Sequence, residues 1–183
     1  QKVPQILDVV HKIMEERKIH FILTASGART LKKTGADLLG GRALYCRMHP
    51  FTANELGTSF SLDKALQTGL IPVVERSADP AKTLSAYVDI YLREEIMAEG
   101  LVRNLGSFTR FLEIISYSHG SVLNVSNLAR ECQIGRGIVS GYIDILEDLL
   151  LAFRLPVFSK RAKRKTASHP KFFLFDNGLY RRL

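Results

Sequence analysis

The sequence lacks any uncharged apolar stretch of about 18 residues, so no segment reads as a membrane-spanning helix. Its most apolar run, residues 143 to 153, is broken by Asp144, Glu147 and Asp148. The opening residues, Gln1-Lys2-Val3-Pro4, have no signal-peptide layout and no initiating Met, so a start inside a longer protein is expected. There are two cysteines, Cys46 and Cys132, neither at a metal-ligand or redox spacing. They read as small apolar fillers, and such usage fits a reducing, cytoplasmic compartment. Five histidines (His11, His20, His49, His119 and His169) form no metal spacing, so no metal site is expected. No Ser-His-Asp or Cys-His order suggests nucleophilic catalysis, and there are no internal repeats.

What remains is ordinary globular composition: 183 residues, 46% hydrophobic and 24% charged. That length accommodates one or two domains with a substantial core. The formal net charge is +8 and the isoelectric point about 9.7. A basic balance of this size favours an anionic partner, with double-stranded DNA first in view.

Apolar spacing predicts a helix over 4–18, with Pro4 in its first turn and a stripe of Ile6, Leu7, Val10, Ile13 and Met14. His20 to Ala25 is a short run of large apolar residues ending at Ser26-Gly27, which predicts a buried parallel strand. Ala43 to His49 predicts another. Residues 58–80 are punctuated by Gly69, Pro72 and Pro80 and read as a connector with one short helix near 62–67. From Ala81 the chain reads as helical, with a long helix to Arg103 bent near Gly100. A second helix covers 107–118, capped by Ser107 and buried through Phe108, Phe111, Leu112 and Ile115. Asn124 or Ser126 opens a short helix ending near Cys132. Gln133-Ile134-Gly135 turns the chain, and Arg136 to Leu151 continues it. Two helices around a short Gly-containing turn give a helix-turn-helix pattern with Leu128, Ala129, Ile134, Val139 and Ile143 inside. Apolar runs at 153–158 and 172–175, separated by a basic stretch, complete a winged-helix layout.

Several segments resemble a family of bacterial and archaeal AAA-type ATPases. Gln1-Lys2-Val3-Pro4 resembles the stretch just after that family's paired acidic residues. Phe21-Ile22-Leu23-Thr24-Ala25-Ser26 resembles its sensor-1 strand, with Ala25 in place of the usual Gly. Leu39-Gly40-Gly41-Arg42-Ala43 resembles its L-x-G-R segment, and Pro50-Phe51-Thr52 with Glu55-Leu56 resembles the close of its core. Tyr87-Val88, Tyr91-Leu92, Glu95-Ile96, the stretch 123–155 and Pro170-Lys171 with Asp176 and Gly178-Leu179 resemble the domain that follows. The resemblance implies an α/β plus α class. Residues 1–57 would be the C-terminal part of a P-loop-type core, 58–80 the connector, and 81–183 a winged-helix domain with the start of a nuclease-like region. No Gly-x-x-x-x-Gly-Lys-Ser/Thr loop occurs in the 183 residues, so this stretch alone is expected neither to hydrolyse ATP nor to hold a cofactor. ATP and Mg²⁺ belong to the complete parent protein.

The resemblance also implies roles. Thr24 and Ser26, at a strand end, would hydrogen-bond the attacking water or the γ-phosphate. Arg42 would reach a neighbouring subunit's γ-phosphate, which implies a homo-oligomer. Arg29 is the rival for phosphate contact. Independently of the resemblance, the cations Lys160, Arg161, Lys163, Arg164 and Lys165 form a charge run that in a winged helix could lie along a DNA groove or backbone, joined by Arg136 and Ser140 of the second helix, or could equally be a solvated or packed loop. The exposed side of that helix is expected to carry Arg136, Ser140 and Tyr142 but also Asp144, Glu147 and Asp148. Its mixed charge leaves a protein-docking role open beside DNA binding. Lys171 and Asp176 read as structural.

Overall fold

A computed structural model describes residues 6–17, 19–24, 44, 46–91, 94, 96, 97, 102, 104–158 and 169–183. These fall into two compact units. The first contains the described residues up to Met48 together with 148–150. The second contains 49–147 and 151–183.

In the first unit, α1 runs Ile6–Arg17. Val10 is buried, and the solvent side carries i,i+4 pairs, His11 with Glu15 at 3.1 Å and Lys12 with Glu16 at 3.8 Å. The two strands expected in this half are not observed. Residues 19–24 have no ladder, and Ile22 is 93% exposed; residues 44 and 46–49 also form no strand, and Leu44 is 97% exposed. A strand exists only when a neighbour accepts its backbone hydrogen bonds. Among the described residues this unit offers no such neighbour, whatever the propensity of the run. The α/β character expected for 1–57 is therefore absent from the described residues, which are mostly helical with one small sheet.

The second unit opens on α2, Ala53–Leu56. Thr52 and Glu55 form a reciprocal capping box, the Thr52 N–H donating to Glu55 Oε2 at 2.8 Å. The same contacts hold the Glu55 carboxyl below its ordinary pKa. Next come α3, Leu62–Thr68, and α4, Pro72–Glu75. Ala65, Ile71 and Val74 are buried, so the stretch read as a connector carries part of this unit's core. Helix α5, Pro80–Ala86, is capped by Asp79 and passes into a π-helical turn at Tyr87–Tyr91. Residues 94, 96 and 97 remain helical, but Val102 does not; Gly100 lies outside the described residues. The expected helix over 81–103 is thus widened at 87–91 and does not include Val102. No Gly or Pro marks the widening.

Helix α6, Leu105–Ser116, is capped by Asn104, whose Oδ1 accepts from the Ser107 N–H at 3.0 Å. Ser107, expected as the cap, is instead the residue whose N–H is capped. Phe108, Phe111, Leu112 and Ile115 are buried as the spacing requires. Helices α7, Val125–Cys132, and α8, Arg136–Asp148, follow. Tyr142 is not on the exposed side. It lies three residues after buried Val139 and packs on Phe108 and Phe111, with ring centroids 4.9 and 5.2 Å away. Strands β1, Ala152–Leu155, and β2, Lys171–Leu174, pair antiparallel, with Phe153 opposite Phe173 and Leu155 opposite Lys171. The last element is α9, Asn177–Arg182.

One carboxylate ties the two ends of this unit together. Asp176 is buried and caps α9, Oδ1 accepting from the Leu179 N–H at 3.2 Å. Its Oδ2 accepts from the Leu70 N–H at 2.7 Å, across 106 residues of sequence. Two glycines permit the approach. A Cβ on Gly69, where φ is +77°, would stand 1.9 Å from Asp176 Oδ1. One on Gly178 would stand 2.2 Å from the Thr68 carbonyl oxygen. Gly69→Ala should therefore cost about 3 kcal/mol or more, from overpacking plus a positive φ. Gly57→Ala, also at positive φ but with open space around it, should cost about 1 kcal/mol. Urea midpoints measure both, and equal losses would show that Gly69 is not closely packed.

Candidate functional site

The helix pair α7–α8 is fixed at both ends of its turn. Asn124 caps α7 by accepting from the Asn127 N–H at 3.0 Å. Gln133 takes a left-handed conformation (φ 58°, ψ 38°) that stops the helix and releases the chain toward Gly135. Arg136 then stands exposed at the start of α8, and Ser140 is half-buried one turn on. Gly137 and Gly141, on the same helix, border open space. A backbone can approach this part of α8 closely, but glycines offer nothing to read a base edge.

Asp144 and Glu147 of α8 face the hairpin. Arg154 of β1 donates from Nη2 to Asp144 Oδ1 at 2.8 Å and from Nε to Glu147 Oε1 at 3.0 Å. Its backbone N–H also donates to Glu147 Oε1, at 2.8 Å. Glu147, then Asp144, holds the guanidinium more firmly protonated than usual. This arrangement closes a sheet edge. Phe172, opposite Arg154, directs its N–H to the Ser121 carbonyl at 3.0 Å and accepts from the Gly120 N–H at 2.8 Å. The Arg154 backbone is therefore turned away from β2, and Glu147 satisfies the N–H that would otherwise invite another strand. At the next outward position Pro156 has no N–H to offer.

The 119–122 segment lies along the other side of β2, with bridges from His119 to Phe172 and from Val122 to Lys171. His119 supplies a ladder acceptor from its side chain: Nδ1 accepts from the Leu174 N–H at 3.1 Å. Its ring stacks on Tyr180 at 4.5 Å. Burial pushes its pKa below the ordinary histidine value, consistent with an Nδ1 that must stay unprotonated to accept. Elsewhere, Val88, Asp89, Thr109, Glu113 and Arg182 line a cavity of about 80 Å³. That is well below the roughly 300 Å³ of a nucleotide-sized pocket, and Arg182 is already engaged by Asp89 and by Ser85 Oγ at 3.0 Å.

Of the residues singled out from sequence, Thr24 is described, exposed and outside any strand; Arg136 and Ser140 lie on α8. Ser26, Arg29, Arg42, Lys160, Arg161, Lys163, Arg164 and Lys165 lie outside the described residues. Sequence reading missed Arg154, His119 and the bridging reach of Asp176. Only Asp176 carried a signal, the Asp-x-Gly-Leu pattern of a capped helix start. No described helix is long and apolar enough to cross a membrane.

Residues 59–183 match a family described as a domain of unknown function (DUF8612), and the chain belongs to that family. Residues 1–57 match an AAA domain, which makes the N-terminal region AAA-type ATPase-like. An uncharacterized protein of Haemophilus influenzae is 23% identical over 199 residues, covering 97% of this chain and 50% of the relative. The chain thus spans half the length of that relative. No solved structure matches the chain significantly.

The His119 contact makes stability depend on pH. With the folded-state pKa depressed, the unfolded chain takes up its proton first as pH falls below about 6.5. Stability present above that value is lost as pH falls toward the folded pKa. Asp176, whose carboxyl burial raises, acts in the opposite sense at lower pH. His119→Asn keeps an acceptor without the titration. It should flatten the drop in urea midpoint between pH 7.5 and 5.5, and an undiminished drop would assign it to other groups.

Proposed function

We propose that, as a member of this domain family preceded by AAA-like residues, the chain couples an ATPase core to a winged-helix domain that the core moves. The match of residues 1–57 to an AAA domain carries this reading. The helix pair and hairpin of the second unit support its winged-helix part, and the exposed apolar run 20–24 suits a strand of a larger sheet. In the complete protein ATP and Mg²⁺ supply the reactive phosphoryl group and its charge neutralisation. Thr24 and Ser26 orient the attacking water from the strand end. Arg42 reaches the γ-phosphate held by a neighbouring subunit in a homo-oligomer, and Arg29 contacts phosphate within its own. Arg42→Ala in the complete protein should lower ATP turnover by about 10³-fold while leaving ATP affinity within a few-fold, because a finger acts on transition-state charge. Turnover equal to wild type would remove Arg42 from that role.

A second reading, duplex DNA binding by the winged helix, gains support from one contact. Arg154 takes up Asp144 and Glu147, which removes two carboxylates from the charge balance of α8 and leaves Arg136 and Ser140 at its start. Together with Lys160, Arg161, Lys163, Arg164 and Lys165 they would contact phosphates, with weak sequence preference. Duplex affinity should fall steeply with salt. Replacing Lys163, Arg164 and Lys165 with Ala should reduce the log–log salt slope by up to about 2.7. No binding at low salt would leave protein docking as the role of this face.

A further inference from the structure

The outer face of the small sheet carries a row of rings. Residues 153 and 155 of β1 alternate outward, as do 171 and 173 of β2, while Ala152, Phe172 and Leu174 point inward and are buried. Phe153 stacks on Phe173 at 5.3 Å with planes 12° apart. Phe173 meets His119 edge-on at 5.7 Å, and His119 stacks on Tyr180 at 4.5 Å with planes 18° apart. The end rings remain open, Phe153 being 48% and Tyr180 42% exposed. Leu155 and Val122 flank the row at 50% and 58% exposure.

A row of four rings on a solvent face is an unusual use of apolar surface in a small unit. The charge around it narrows the occupant. None of the face positions 119, 122, 153, 155, 171, 173 and 180 is a carboxylate, and Lys171 stands exposed among them. Arg181 follows Tyr180 directly and is also exposed. A second strand is not favoured, because Glu147 and Pro156 close the β1 edge. Open rings beside unneutralised cations, in a chain of net charge +8, match bases that stack and phosphates that carry negative charge.

We propose that this face binds single-stranded nucleic acid, with a base on the free face of Phe153, another further along the strand on Tyr180, and Lys171 on the phosphate backbone. Stacking of this kind is tolerant of sequence. Ring stacking does not distinguish deoxyribose from ribose, so DNA and RNA strands are expected to bind alike. The site is separate from the duplex contacts considered for α8 and does not rest on the ATPase reading.

The test uses the complete protein and fluorescein-labelled oligothymidylate and oligouridylate of about 12 nucleotides, followed by anisotropy at low salt. Both strands should bind. Phe153→Leu and Tyr180→Leu keep apolar area but remove the ring, and each should weaken binding about tenfold. Phe153→Tyr restores a ring and should restore affinity. Lys171→Gln should lower the salt slope by about 0.7. Urea midpoints of the Leu variants within experimental error of wild type tie the loss to the ring rather than to unfolding; should Phe153→Leu unfold, Tyr180→Leu carries the test. Absence of binding, ring variants that bind like wild type, or a duplex of equal length competing equally well would each overturn the proposal.

Discussion

The second unit depends on a single buried carboxylate. Asp176 sits where the chain turns from β2 into α9, and it accepts hydrogen bonds both from Leu179 three positions on and from Leu70, 106 positions back. Burying a carboxylate is costly unless its oxygens are matched by donors. Here the donors are the N–H groups of Leu70, Leu179 and Gly178, and burial still raises its pKa against them. The charge is tolerable only because Gly69 and Gly178 leave no side chain between the segments. Residues 62–75 are held to the end of the chain by this contact, which is why they belong to the core.

A second polar system organises the hairpin. Arg154 binds Asp144 and Glu147 of α8, and Glu147 also takes the Arg154 N–H. Exposed ion pairs contribute little to stability. The effect here is geometric: the hairpin is oriented against α8, these two carboxylates are neutralised and the free sheet edge is covered. His119 performs a comparable service along the other side of β2. With both flanks satisfied, the outer face of the sheet is left as aromatic surface.

Much of the helical unit was legible from periodicity and caps. The α6 stripe, the Asn124 cap, the turn at Gln133 and the two runs that pair as β1 and β2 are local features, set by neighbours three to four residues away. The failures have identifiable causes. Asn104 and Ser107 are both good caps, and only the backbone path decides between them. Tyr142 has a hydroxyl that suggests solvent, but its position in the α8 stripe places it in the core. The run 20–24 has every strand preference, yet among the described residues no neighbour shares its hydrogen bonds.

By itself the sequence determined helices α1, α3 and α5 to α8, the buried face of α6, the turn between α7 and α8, the basic balance and the resemblance of residues 1–57 to an AAA-type core. Those properties follow from side-chain periodicity, backbone preference and charge, all carried by nearby residues. Only the tertiary structure decided that Asp176 reaches Leu70, that Arg154 claims Asp144 and Glu147 of α8, and that Phe153, Phe173, His119 and Tyr180 form one row. Asp176 meets a backbone group 106 positions away and the ring row draws on residues 119 to 180, while Arg154 meets carboxylates only seven and ten positions back across the turn from α8 into β1. None of these spacings follows a helix or strand period, because turns and packing between elements set them.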